Sequence, residues 1–145
     1  LGDVYKRQLE MSGAIGIEQL KKLKRFIKCR RKNASVFQDL FSSHPFLKIQ
    51  QEVGKSSWFG FSLILKEDSK YKRSQLLDRL DKAKIEYRPI VSGNFLENDA
   101  IKFFDYEISE NVKNAEYLET NGFFVGNQHD NLTDKIKYLH KTLEK

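Results

Sequence analysis

The sequence is poor in cysteine and proline, and it contains no long hydrophobic run. Cys29 is the one cysteine among 145 residues, so an internal disulfide is excluded and a reducing compartment is indicated. No stretch approaches the roughly 18 apolar residues that a membrane span needs, and no secretory signal opens the chain. We therefore expect a cytoplasmic protein that has no membrane segment.

The sequence also lacks a dominant charge of one sign. It has 26 basic and 20 acidic residues, for a net charge of +6, so most charges form a mixed, solvated surface. The one local excess lies at residues 21–32, where Lys and Arg alternate with apolar residues at helical spacing. This pattern favours the solvent-exposed face of an amphipathic helix. The alternative is a basic surface that binds nucleic acid.

Metal and nucleophile motifs are absent as well. His44, His129, His140 and Cys29 show no paired ligand spacing, so we expect no metal site. Residues 12–16 are not a phosphate-binding loop, because no strand precedes them and the Lys–hydroxyl pair is missing. No nucleophile-elbow sequence is present. The residues themselves therefore suggest no catalytic group.

A helical pattern runs from Glu10 to about Ser42, with apolar residues at steps of three, four and seven. It predicts one long helix or two helices joined by a bend. Gly13 and Gly16 reduce helix propensity near its start, which favours close packing against another backbone there. Pro45 forbids continuation of the helix.

The remaining chain predicts short strands interspersed with helices. The expected elements begin with strands at 46–51 and 57–65 joined through Gly54, a helix ending near Lys84, and an extended strand at 85–90. An irregular region follows at 91–111, with at most a short helical stretch at 100–104. The last elements are a helix begun at Ser109 or Asn111 and closed by a left-handed cap at Asn121–Gly122, a strand at 123–126, and a helix at 132–143 capped by Asn131. This order predicts an α+β fold in which helices cover one face of a small sheet.

One segment combines groups suited to ligand binding. Arg88, Asn94 and Phe95 follow an extended stretch and enter a loop. They offer a bidentate cation, an amide and a ring that could bind phosphate, hydroxyl groups and a sugar or base. The alternative is structural: Arg88 pairs with Glu86 or Asp105, and Phe95 lies in the core.

A second, weaker candidate is the segment 126–129, which includes Asn127 and His129. It ends a predicted strand and precedes a helix N-terminus, where free amides favour anions. Many strand-to-helix turns share this pattern.

Several segments, taken together and in order, carry a family resemblance. They are Leu9–Leu23, Arg30–Ala34, Ser56–Phe61, Arg88–Phe95, Phe103–Tyr106, Asn114–Leu118 and Asn121–Asn127. The combination resembles the sugar aminotransferase family of fold type I pyridoxal phosphate enzymes, the DegT/DnrJ/EryC1/StrS family, and covers residues 9–145.

The resemblance implies the C-terminal small domain of such an enzyme. Its regions would be a non-native or disordered start at 1–8, a long connecting helix at 9–42, and a small α+β domain at 43–145. The family has a Gly-Tyr-Asn segment before the Leu9 run, whereas residues 4–8 here read Val-Tyr-Lys-Arg-Gln. The phosphate contact made by that Asn is therefore missing or unreadable.

The resemblance also implies a reaction. The dehydratase branch removes the 3-hydroxyl of a GDP-linked 4-keto-6-deoxymannose in deoxysugar biosynthesis for surface polysaccharide, and the alternative is a nucleotide-sugar aminotransferase. The two differ at one upstream residue, His against Lys. Pyridoxal or pyridoxamine phosphate would be bound by the large domain of a homodimer. We expect no catalytic or cofactor-binding residue in this chain, and no activity from it alone.

The substrate would be a nucleotide diphosphate sugar, bound at a site that the small domain closes. Carrying the family pattern over residue by residue gives a rim at the mouth of this site. Trp58 and Phe59 would instead belong to the core. The expected rim residues are Arg88, Ser92, Asn94, Phe95, Asn127 and His129.

Overall fold

The computed structural model describes residues 10–91, 93–108 and 111–144, and this part of the chain contains four α-helices and three strands. In chain order these are α1 (Glu10–Phe41), β1 (Leu47–Ile49), β2 (Gly60–Leu65), α2 (Arg73–Lys82), α3 (Lys113–Asn121), β3 (Gly122–Gly126) and α4 (Thr133–Glu144). Two short 3₁₀ helices, Phe95–Glu97 and Asp99–Phe103, precede α3. The α+β prediction is confirmed.

Helix α1 is one continuous helix of 32 residues, so the alternative of two helices joined by a bend is wrong. Every residue from 10 to 25 is exposed, including Met11 at 74% and Leu20 at 68%. The second half is different, since Ala34, Phe37 and Phe41 are almost completely buried. The amphipathic pattern therefore meets a core only along the last part of the helix.

The three strands form one antiparallel sheet in the order β1-β2-β3. Leu63 of β2 pairs with Phe123 of β3, and Phe61 pairs with Val125, so these side chains share one face. The ring of Phe37 in α1 stacks on Phe61 with centroids 4.4 Å apart. This face, together with α1, α2 and α4, encloses the apolar core.

The opposite face of the sheet is crowded at Gly122. A Cβ atom there would lie 2.5 Å from Ile90 Cδ1 and 2.6 Å from the carbonyl oxygen of Leu118. The φ angle of Gly122 is −100°, so the residue continues as extended chain into β3. The predicted left-handed cap at Asn121–Gly122 is therefore wrong, and this glycine is required by close approach instead.

Two further expectations about the strands need correction. Residues 85–90 do not form a strand, and one isolated bridge joins Arg88 to Phe124. Phe59 is not in the core, because 74% of its surface is exposed. Trp58, immediately before it, has a φ of 55° and is buried, so the side-chain alternation of β2 does not extend back to Phe59.

The predicted cap at the start of α4 agrees with the structure, whereas the predicted cap of α3 does not. Asn131 Oδ1 accepts a hydrogen bond from the Thr133 amide at 3.1 Å, which satisfies a free donor at the start of α4. Asn111 Oδ1 accepts from the Lys113 amide at 3.0 Å, but the N-cap residue of α3 is Val112, which makes no side-chain capping bond. Ser109, the other proposed cap, and residues 1–8 lie outside the described residues, and the domain boundaries stay a prediction.

His44 lies in the turn between α1 and β1 and is 2% exposed. Its ring packs against Phe41, Phe46 and His140, with centroids 5.5, 4.5 and 5.7 Å away, and neither ring nitrogen has a hydrogen-bond partner. Burial, and then the neighbouring His140, lowers the pKa of His44 to about 4. The neutral ring is therefore the form that the fold accommodates.

None of the helices in the described ranges is long and apolar enough to cross a membrane.

Candidate functional site

A groove with a volume of about 390 Å³ lies where α1, the chain at 86–88 and the end of β3 meet. We call it the Arg30–Arg88 groove. Its walls bring together residues from four separate parts of the sequence, two of them arginines. The residues that line it are Arg30, Phe59, Glu86, Tyr87, Arg88, Phe124, Gly126 and Asn127.

Arg88 is held in the groove through its backbone. Its amide donates to the Phe124 carbonyl at 2.9 Å and its carbonyl accepts from the Phe124 amide at 2.8 Å, which fixes this chain beside β3. The side chain is exposed, and within the described ranges it forms no ion pair with Glu86 or Asp105. Arg88 therefore brings to the lining of the groove a guanidinium without an ion pair to these residues, which can donate to an anionic group.

The other residues of the predicted loop serve different purposes. Asn94 is 4% exposed. Its Oδ1 accepts a hydrogen bond from the Leu96 backbone amide at 3.2 Å, and the backbone amide of Asn94 donates to Glu119 Oε2 at 2.9 Å. Asn94 therefore caps a 3₁₀ helix. Phe95 is 46% exposed, and neither residue lines the groove. Ser92 lies outside the described residues.

Asn127 lines the groove, but its side-chain amide is engaged inside the protein. Its Nδ2 donates to the carbonyls of Trp58 at 2.9 Å and Arg30 at 3.1 Å, and its Oδ1 accepts from Asn33 Nδ2 at 3.0 Å. Asn33 and Asn127 are 0% and 4% exposed. We call these two residues the buried amide pair.

Asn33 also secures the segment between β3 and α4. Its Nδ2 donates to the carbonyls of Gln128 at 3.2 Å and Asp130 at 2.7 Å. Its Oδ1 accepts from the Leu132 amide at 3.0 Å. Because buried amides are costly to leave unsatisfied, these bonds fix one conformation of the segment relative to α1.

His129 is exposed at the same end of the molecule, outside the lining of the groove. Its ring packs on Phe26 with centroids 4.2 Å apart and a tilt of 37°. The contact holds the loop against α1. The prediction that His129 binds substrate stays a prediction.

Of the residues that line the groove, sequence reasoning named only Arg88 and Asn127 as site residues. Arg30 was one of eight basic residues in a single helical run, and Phe59 was assigned to the core. Tyr87 donates to Asp81 Oδ2 at 3.1 Å; partial burial, followed by this bond, raises the pKa of the phenol above its ordinary value. A helical projection could have separated Arg30, since it shares a face with Asn33 and Phe37.

The described residues contain no cluster of three or more His, Cys, Asp or Glu that could hold a metal ion. The groove offers cations and rings instead. Its chemistry suits an anionic ligand that carries a planar or ring-shaped group.

Comparison with known proteins decides the family. The model of the DegT/DnrJ/EryC1/StrS aminotransferase family matches residues 5–144. The chain belongs to this family. Within it, the chain is 61% identical over 139 residues to GDP-4-keto-6-deoxy-D-mannose 3-dehydratase from Escherichia coli O55:H7, which covers 95% of this chain and 36% of that protein. The chain thus spans about a third of the length of this relative.

Solved structures of GDP-4-keto-6-deoxymannose 3-dehydratase have the same fold as this chain over the matched residues. The E. coli GDP-4-keto-6-deoxy-D-mannose-3-dehydratase with bound hydrated PLP superimposes with a TM-score of 0.92 at 62% identity, covering 94% of this chain and 36% of that one. A mutant of GDP-4-keto-6-deoxymannose-3-dehydratase with bound GDP-perosamine gives 0.91 at 61% identity, with the same coverage. The fold is therefore that of the C-terminal part of these enzymes.

Proposed function

We propose that this chain is the C-terminal small domain of a nucleotide-sugar 3-dehydratase that removes the 3-hydroxyl from GDP-4-keto-6-deoxymannose. The observation that carries the proposal is the 61% identity to such an enzyme over 139 residues. The exposed Arg88 guanidinium in a groove beside aromatic rings supports it, because a GDP-sugar carries a diphosphate, a base and sugar hydroxyls.

The chain's own contribution would be to bind and orient the substrate. Arg88 would donate to phosphate or sugar oxygens, and the exposed ring of Phe59 would pack on a base or sugar. Ser92, Phe95 and His129 remain proposed rim residues, as do Asn94 and Asn127. Because the side chains of the last two are engaged internally, any ligand contact by them would come from the backbone or after a rearrangement.

The described residues do not fit a complete cofactor site. The buried side-chain amides of Asn33, Asn94 and Asn127 are all bonded within the chain. The Nδ2 groups of Asn33 and Asn127 in particular donate to oxygens of the chain and not to a phosphate. We therefore assign pyridoxal or pyridoxamine 5'-phosphate, together with the catalytic base, to the part of a longer polypeptide that this chain does not include.

The full enzyme would act as a cytoplasmic homodimer, and this chain alone would be inactive. The alternative within the family is a nucleotide-sugar aminotransferase. The residue facing the cofactor decides between them: histidine would support the dehydratase, and lysine the aminotransferase. A nucleic-acid-binding module is the alternative from another class, and it requires binding to single- or double-stranded probes that weakens steeply with salt.

A chimeric enzyme tests the proposal. Residues 10–145 would replace the matching C-terminal part of the E. coli relative, and 3-deoxygenation of GDP-4-keto-6-deoxymannose would be followed by mass spectrometry. We expect turnover. A chimera that is dimeric and carries the pyridoxal phosphate absorbance band, yet converts no substrate, would contradict the proposal.

The same chimera tests Arg88. We expect Arg88→Ala to raise KM by about 10- to 100-fold, since charge-assisted hydrogen bonds contribute about 1.5–3 kcal/mol. Lys48→Ala is the matched control, because it removes one exposed positive charge from β1, away from the groove. Equal KM values for the two variants would show that Arg88 does not bind the substrate.

A further inference from the structure

Arg30 is the second cation of the groove and comes from a different element than Arg88. It lies on α1, whereas Arg88 lies beside β3, so two separate elements each contribute one arginine to the lining of the cavity. Within the described part of the chain, Arg30 makes no ion pair. Two cations that line one groove without an ion pair to any described residue indicate a site for an oxyanion.

The position of Arg30 is fixed at both ends. Its Nη2 donates to the backbone carbonyl of Asn127 at 3.0 Å, and its own backbone carbonyl accepts from Asn127 Nδ2 at 3.1 Å. Asn127 is in turn held by Asn33. A guanidinium restrained in this way loses little conformational freedom when it binds an anion, which favours affinity.

Glu86 also lines the groove, so its walls carry two positive groups and one negative group. Guanidinium groups recognise phosphate oxygens in bidentate geometry, and a carboxylate accepts hydrogen bonds from hydroxyl groups. This combination suits a ligand that bears both phosphate oxyanions and sugar hydroxyls. A bare polyanion is less suitable, because Glu86 would repel it.

We propose that Arg30 and Arg88 together bind the diphosphate of the nucleotide sugar, and that the buried amide pair, Asn33 and Asn127, positions Arg30 for this contact. The inference deepens the proposed function and rests on it for the identity of the ligand. Arg30 is a ligand-binding residue here, whereas Asn33 and Asn127 act through it.

The test is calorimetric titration of the chimeric holoenzyme with GDP and, separately, with guanosine. We expect Arg30→Gln to weaken GDP binding at least about tenfold, as expected for loss of a charge-assisted contact, and to leave guanosine binding unchanged. Arg30→Lys should recover part of the affinity, because it restores the charge without the planar fork. Arg25→Gln is the matched control, since Arg25 is an exposed arginine on α1 that does not line the groove.

The positioning role has its own measurement. Asn33→Ser should raise KM for the GDP-sugar with kcat changed less than about twofold, since it releases Arg30 without touching the reacting atoms. A purely structural role would lower the melting temperature and leave GDP affinity below the melting range intact. If Asn33→Ser does not fold, Arg30→Gln still decides the ligand contact.

These outcomes separate the inference from the proposed function. Unchanged GDP affinity in Arg30→Gln, in an enzyme that still turns over substrate, would overturn the inference alone. Weakened GDP binding in a chimera without turnover would support the inference and contradict the dehydratase proposal.

Discussion

Acidification should destabilise the chain through His44. The pKa of this buried ring is about 4 in the folded protein, against 6.5 for an unperturbed histidine. Below pH 6.5, His44 therefore binds a proton in the unfolded chain but stays neutral in the folded chain, and the stability of the fold decreases as the pH drops towards 4. Between pH 8 and pH 5 this linkage amounts to a loss of about 2 kcal/mol in the free energy of unfolding.

The groups around His44 determine the size of the effect. His140 on α4 and Lys66 after β2 oppose protonation, whereas Glu144 favours it. Glu144 lies 3.5 Å from His140 Nδ1, so part of its charge is directed at that ring. Burial is the largest cause and should persist when the surface charges are screened by salt.

Urea unfolding at pH 8 and pH 5, followed by the fluorescence of the buried Trp58, measures this loss. His44→Phe should be less pH-sensitive than the parent chain by about 2 kcal/mol, because the ring nitrogens have no partners to lose and only the titration is removed. His129→Gln is the control, since His129 is exposed and should leave the difference in place. If the stability of His44→Phe falls as much between pH 8 and pH 5 as that of the parent chain, His44 is not the cause of the pH dependence.

Three other substitutions test the fold by chemical denaturation. Phe37→Ala should cost about 3–5 kcal/mol, since the ring is completely buried, and a cost below 1 would contradict its central place. Gly93→Ala should destabilise the fold more than Gly54→Ala. Both glycines have a positive φ, but only at Gly93 would the added Cβ collide with a side chain, that of Glu119. Equal losses of stability in the two variants would exclude that collision. Tyr117→Phe should cost about 1 kcal/mol because the Leu65 carbonyl loses its donor, and no change would discount the bond.

Helices were the most predictable part of the fold. The apolar spacing along α1 and the Asn131 cap of α4 are local signals, and the structure agrees with both. Pro45 was a reliable stop, since α1 ends at Phe41. Short-range sequence patterns therefore predicted the helices, because apolar spacing and capping depend on residues that are close in sequence.

Strand phase and glycine conformation were less predictable because they depend on distant contacts. In the sequence, Phe59 continues the alternation of apolar residues along β2. The left-handed backbone at Trp58, however, changes the direction of the chain before the strand begins. Gly122 looked like a helix cap, whereas its role is to admit the Ile90 side chain. Ile90 is distant from Gly122 in sequence, and a left-handed backbone at a residue such as Trp58 is uncommon enough that no local pattern predicts it.

The candidate site was predicted in part. Arg88 stands out because it follows extended chain and precedes a proline and a loop. Arg30 does not, since its difference from neighbouring basic residues lies in contacts to a segment almost a hundred positions away. The family likeness supplied the kind of ligand, and the fold supplied the second wall of the groove.

The unbroken course of α1 has a mechanical consequence. Its 32 residues at 1.5 Å per residue make a rod about 48 Å long, without a proline or bulge that could act as a joint. A tilt of about 5° at one end therefore carries the other end through about 4 Å. Since the helix is bonded to Asn127 through Arg30 and Asn33, such a tilt would displace the exposed residues 10–25 most and leave Arg30 beside the end of the sheet.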